Sequence, residues 1–208
     1  MAFPVSFDEL NRLVGYDRSM GIDTFFDEMP ITKEQKRLRK EFASQLEDEM
    51  IWLMSFLFYS RYNPQYMVAL QEIRERYRTL AERDLLFDAY IAERIQSATA
   101  DIIDATARHK DDPYYYSKDR ARLIAENESN TIWSYTEYEE AVKGKSYKQW
   151  LTIMDGHERE SHAEVNATIL PINEPFHLQG GMMQYPRDEQ YSPSDEEIIM
   201  CRCGIRFF

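Results

Sequence analysis

A chain of 208 residues, 43% of them hydrophobic, is long enough to bury one large core or two small ones. Its net charge of −12 argues against a generic nucleic-acid footprint, which needs clustered Lys and Arg. Two cysteines make no secreted disulfide framework, and the opening "MAFPVSFDEL" lacks the charged and apolar regions of a secretory signal. The expected compartment is a reducing cytoplasm, or a particle assembled within one. The acidity is evenly spread. Residues 1–150 hold 21 basic and 27 acidic side chains and residues 151–208 hold 4 and 10, which leaves −6 in each part and neither a basic arm nor an acidic tail.

In chain order, the first clear pattern is helical. Thr32 and Gln35 have capping-box spacing, and Leu38, Phe42, Leu46, Met50, Leu53 and Leu57 follow at intervals of three or four, predicting a helix from Thr32 to about Tyr59. Its greasiest stretch, "MIWLMSFLFY" (Met50–Tyr59), is half the roughly twenty residues a membrane span needs, so it reads as a buried or interface segment. A second helical region opens at "YNPQYM", with Asn63 as N-cap and Pro64 at the first helical position, and runs to about His109 with an interruption near Asp84. "KDDPYYYS" ends it, because Pro113 disfavours a helical residue before it. Ser117 is placed to cap a third helix, which Gly144 stops.

After Gly144 the texture changes. "KQWLTIM" and "ATILPI" are short and β-leaning, and four of the eight prolines follow. At the end, Ile199, Cys201, Cys203, Ile205 and Phe207 alternate with Met200, Arg202, Gly204 and Arg206, as on a two-faced strand. The expected fold is α+β: an elongated helical N-terminal region, residues 1–112, followed by a small mixed α/β C-terminal domain, residues 113–208.

The residues that can carry chemistry are few. Cys201 and Cys203 share one face in the strand reading, where thiols two apart lie roughly 6–7 Å from each other, so both reach one metal only if the chain bends. A disulfide between them would close a very small, strained ring. "DGHERESH" supplies His157 and His162, and two His with two Cys can complete a structural zinc site. On a helix, positions five apart are about 140° apart, so both His bind one ion only from a loop or helix end. Buried, inert cysteines are the competing reading. Asp155 and Arg159, four apart, have the spacing of an ion pair. No nucleophile elbow, G-x-G-x-x-G, P-loop or H-E-x-x-H is present, and Gly180-Gly181 reads as a turn.

Six C-terminal signatures occur in order: "RARLIAENE" with Ala125 and Glu128; Trp150; "D-x-x-x-R-x-S-H" (Asp155, Arg159, Ser161, His162); "I-x-E-P-F" (Ile172, Glu174, Phe176); "YPRD" (Tyr185 to Asp188, with Pro186); and "CRC". Over roughly residues 118–205 this succession resembles the head-morphogenesis domain typified by protein F of phage Mu, found in minor head proteins of tailed phages. The chain departs from the family pattern at Glu126, where an arginine is usual, at His157, where many relatives carry another arginine, and at "MCRC" for the commoner "NCRC".

The resemblance implies a non-enzymatic virion component in or near the portal end of the head, acting with portal and capsid or scaffold proteins in capsid assembly or in DNA packaging and ejection. From the charge and the short apolar stretch, no membrane and no sequence-specific nucleic acid is expected as partner. Glu128, Trp150, Asp155, Arg159, Pro186 and Asp188 become motif residues of structural role, and His162, Cys201 and Cys203, with His157, the candidate ligands of a structural zinc. The helical arm is the candidate surface for self-association. The other reading is a phage-encoded effector related to ADP-ribosyltransferase-like modules, which should add length and a catalytic motif of its own.

Overall fold

The computed structural model of the chain describes residues 22–208. "MAFPVSFDEL", in which no targeting signal was read, lies outside the described residues, as does everything before Ile22. The architecture is α+β, with helices first and a small mixed region of strands and short helices after them. In order these are α1 (Ile22–Asp27), α2 (Lys33–Ser60), α3 (Tyr66–Asp84), α4 (Ala89–Arg108), a 3-10 turn (Pro113–Tyr116) and α5 (Lys118–Val142). There follow β1 (Tyr147–Leu151), α6 (Glu160–Glu164), β2 (Ile169–Pro171), β3 (Phe176–Leu178), β4 (Gly181–Met183), α7 (Asp195–Ile198) and β5 (Gly204–Phe207). Two compact units result, one over Glu41–Glu126 and the other formed by Asp23–Lys40 with Asn127–Phe208.

The first unit is helical. Met50, Leu53, Met54 and Leu57 of α2 are buried to 2% exposure or less, so one face of the apolar decamer is core, while Ile51, Trp52, Phe56 and Phe58 are half-buried and Tyr59 is exposed. Ile73 and Tyr77 of α3 and Ile91 and Ile95 of α4 join them at three-to-four spacing. The expected interruption falls where Leu85 turns extended, and Asp88 then caps α4 by accepting from the Ile91 amide at 3.0 Å. The start of α3 differs from expectation. Gln65, not Asn63, is its N-cap, and Pro64 lies before the helix, because residues 61–65 are spent on the turn out of α2. Ser117 does cap α5, accepting from the Arg120 amide at 3.2 Å. The buried Arg120 guanidinium donates to Thr106 Oγ1 (2.6 Å), Tyr115 O (2.7 Å) and Ile102 O (3.1 Å), tying the end of α4 to the start of α5. Burial lowers its pKa to about 10.

In the second unit, Thr32 and Gln35 form the reciprocal capping box, at 2.9 and 3.2 Å. Strands β2, β1 and β5 make an antiparallel sheet with β1 central, and β3 and β4 make a separate hairpin. Trp150 of β1 is fully buried, with its ring against Phe176 of β3 at 5.2 Å between centroids. From α5, Asn130 accepts from buried Arg39 Nε (3.1 Å), whose fork also grips Glu137. The final strand is shorter than its alternation predicts. Only Gly204–Phe207 pairs with β1, and Cys201–Cys203 lie in irregular chain after Met200, which takes a left-handed φ of 57°. Gly204 is needed where it stands, since a Cβ there would come within 2.5 Å of Ile31 Cγ2 and 3.2 Å of Pro30 O.

The alternation that buries Trp150 also buries Lys148 on the same strand face. Lys148 donates to Gln184 Oε1 and lies 5.1 and 5.3 Å from the ring centroids of Tyr138 and Phe176. Burial lowers its pKa to about 8, despite the favourable charges of Asp188 and Glu174. Between that value and the free-lysine 10.5, the unfolded chain holds more protons than the folded one, so this group makes stability rise with pH across the window. Lys148→Met is therefore expected to flatten the pH dependence of the urea midpoint above about pH 8. An unchanged slope would contradict the buried-cation account.

Candidate metal centre

Beyond β1 the chain turns through Asp155–Gly156 and enters α6, a single turn that buries Ser161 and His162 against the sheet. His162 is 1% exposed and its ring meets Trp150 edge-on at 5.5 Å. From the other end of the unit comes the Met200–Cys203 segment, held by α5. Asn127 Oδ1 accepts from the Met200 amide (3.1 Å), and Asn130 Nδ2 donates to Cys201 O (3.1 Å). The left-handed Met200 so fixed is the bend that takes the two thiols off a regular strand. Cys203 Sγ then lies 3.3 Å and Cys201 Sγ 3.7 Å from His162 Nδ1.

The three ligand atoms all fall within 4.8 Å of one another, and all three residues are buried. This group can hold a metal ion. Two thiolates and an imidazole are a soft donor set that suits zinc, whose usual bonds to them are about 2.0–2.3 Å. Both cysteines are free. The electrostatics prepare Cys201 for a ligand role. A hydrogen bond from Cys203 holds the Cys201 thiol well below the usual range, with help from His162 and against burial. Cys203, which keeps the proton, is pushed well up by that same contact and by burial. On His162, burial opposes the charged ring, but the hydrogen bond and charge of Cys201 and the charge of Glu197 outweigh it and raise its pKa. Thr152 Oγ1 donates to His162 O at 2.8 Å, receives Trp150 Nε1 at 3.1 Å and sits 3.5 Å from Cys203 Sγ, so the residue just past β1 supports both halves of the cluster.

The remaining sequence candidates have other places. His157 is exposed and lines a cavity of about 30 Å³ beside His162 and Cys203, outside the group of three. Asp155 and Arg159 do not pair with each other: Asp155 binds Arg202 at 2.7 Å, and Arg159 donates to Ile199 O. The i,i+4 spacing is a helical argument, and this stretch is a turn that becomes helix only at Glu160. Glu128 is buried in α5. In "YPRD", Pro186 is buried, and Arg187 (φ 71°) reaches back to α5 at Thr131 Oγ1 (2.8 Å) and Asn127 Oδ1 (2.7 Å). Asp188, fully buried, accepts from the Gln184 and Gln190 amides at 2.8 and 2.9 Å, and burial raises its pKa against those bonds. Sequence reasoning missed Thr152, Asn127, Asn130 and Glu197. Only Asn127 carried a signal, as the polar residue between Glu126 and Glu128 of the "AENE" signature.

A protein-family comparison matches residues 91–206, more than half of the chain, to the family described as "Phage Mu protein F like protein". The chain belongs to the phage Mu protein F-like family. This is a family of head-morphogenesis, or minor head, proteins. The match takes in the whole cluster and every motif residue named above. No curated protein and no solved structure matches the chain. Among the described residues, no helix is long and apolar enough to cross a membrane.

Because Asn130 bridges Arg39 and the Cys201 carbonyl, Asn130→Ala leaves buried polar groups without that partner. The expected loss is about 1–3 kcal/mol in chemical denaturation. A loss within experimental error would show that α5 does not hold the cysteine segment.

Proposed function

We propose that this protein is a non-enzymatic minor head protein acting in head morphogenesis near the portal, in capsid assembly or in DNA packaging and ejection. Its C-terminal module is closed by a structural zinc on His162, Cys201 and Cys203. The observation that carries this reading is one buried group of two thiols and an imidazole, inside the segment that matches the family. Such a group uses its donors for fastening: it ties the C-terminal segment to α6, and both cysteines are at most 3% exposed. The motif residues Glu128, Trp150, Asp155, Arg159, Pro186 and Asp188 have structural parts in this reading, as buried packing, turn caps and segment ties. The partners are portal and capsid or scaffold proteins, and the place of action is the virion head, with assembly in the host cytoplasm. The helical first region offers self-association or head contacts through its exposed Tyr62, Met67 and Val68. No observation favours the effector reading.

Two measurements test this. In a phage or prophage carrying a tagged copy, the protein should co-sediment with portal-containing heads. Absence from heads at every assembly stage, with the protein found free in the cytoplasm, would refute the placement. Separately, purified protein should carry one zinc per chain, which Cys201→Ser loses together with several degrees of melting temperature. Metal-free wild-type protein melting at the same temperature as the variant would refute the clip and leave buried cysteines.

A further inference from the structure

Glu197 is a carboxylate that no motif singles out, yet it is 4% exposed and sits behind the cluster. Its two oxygens divide the work. Oε1 accepts from the Gly180 amide at 2.9 Å. Oε2 accepts from Ser161 Oγ at 2.8 Å and lies 2.9 Å from His162 Nε2. That nitrogen is buried and has no well-directed hydrogen bond of its own. Since both side chains are buried, the close carboxylate is the strongest field the ring meets on that side. The fold keeps room for this arrangement. A Cβ on Gly180 would run into Ser194 Oγ and come within 2.7 Å of Glu197 Cγ, and one on Gly181 would come within 2.8 Å of Pro193 Cα. The double glycine at the β3–β4 turn thus lets the hairpin close over α7 and clamp the carboxylate from behind.

We propose that Glu197 is the positioning residue of the metal centre: by holding the proton on His162 Nε2, it leaves the Nδ1 lone pair facing Cys201 and Cys203. The assignment rests on the metal reading for its purpose, but the tautomer it demands can be read with or without an ion. A ring nitrogen beside a carboxylate keeps its hydrogen, and the opposite nitrogen is left as acceptor or ligand. Glu197→Gln tests this with little change of shape. The amide keeps an oxygen for Gly180 but places an NH₂ group where Oε2 was, and that donor favours the Nε2 lone pair and moves the proton to Nδ1, toward the thiols.

Two readouts separate the inference from the reading beneath it. Imidazole ¹⁵N NMR of metal-free protein, at a pH where His162 is neutral, should show Nε2–H in the wild type and Nδ1–H in Glu197→Gln. A wild-type ring carrying its proton on Nδ1, or a variant that keeps the wild-type tautomer, overturns the proposal whether or not a metal binds. Should the variant fail to fold, the wild-type spectrum alone decides. Cobalt(II) titration followed by its thiolate and ligand-field absorption should then show roughly 10–100-fold weaker binding in Glu197→Gln, with an altered spectrum. Equal affinity and an identical spectrum overturn the positioning role and leave the metal reading standing. A wild type that takes no cobalt refutes the metal reading, and the tautomer result still judges Glu197.

Discussion

The second unit is organised around the approach of His162 to Cys201 and Cys203. A C-terminal segment of eight residues with two thiols buries little surface by itself, and only its last four residues gain strand pairing. What holds the first four is polar: Asn127 and Asn130 on the backbone, His162 on the sulfurs, Thr152 beneath. These contacts come from α5, from the chain just past β1 and from the single-turn α6, so the cluster can form only when all three have assembled. Polar clusters of this kind stabilise little when incomplete, because each buried group left without its partner costs desolvation energy. A metal ion across the three ligand atoms would bring the largest single favourable interaction to that point and make closure all-or-none.

The same logic explains why several buried residues of the second unit are polar. Asp188, Asn130 and Glu197 satisfy backbone groups in turns and irregular chain that a sheet of three short strands leaves unpaired, and Arg187 ties its turn to α5. Trp150 and Phe176 supply the apolar centre, and the polar residues fix which loop lies where.

Local features were legible in the sequence and distant pairings were not. The Thr32–Gln35 capping box, the Ser117 cap, the break near Asp84 and the stop at Gly144 involve residues within four positions of each other, and each has its expected partner in the structure. The set His162, Cys201 and Cys203 was legible by residue type. Its geometry was not, because the bend at Met200 is set by Asn127, 73 residues away. Asp155 was misread for the same reason: its arginine is Arg202, 47 positions on, and not the neighbour four away. Asn63 and Pro64 gave a helix-start signal that the turn after α2 overrode by occupying both residues. Glu197 stands among Asp195 and Glu196 in a run that reads as solvated acid, and nothing in "SDEE" marks the one carboxylate that turns inward.

The most direct test of the account is X-ray absorption at the zinc edge on protein purified from zinc-replete cells. The account predicts a first shell with two sulfur scatterers at about 2.3 Å and at least one nitrogen of imidazole type at about 2.0 Å. A shell of oxygen and nitrogen alone, or protein without an edge signal, would contradict the claim that His162, Cys201 and Cys203 close this module around a metal.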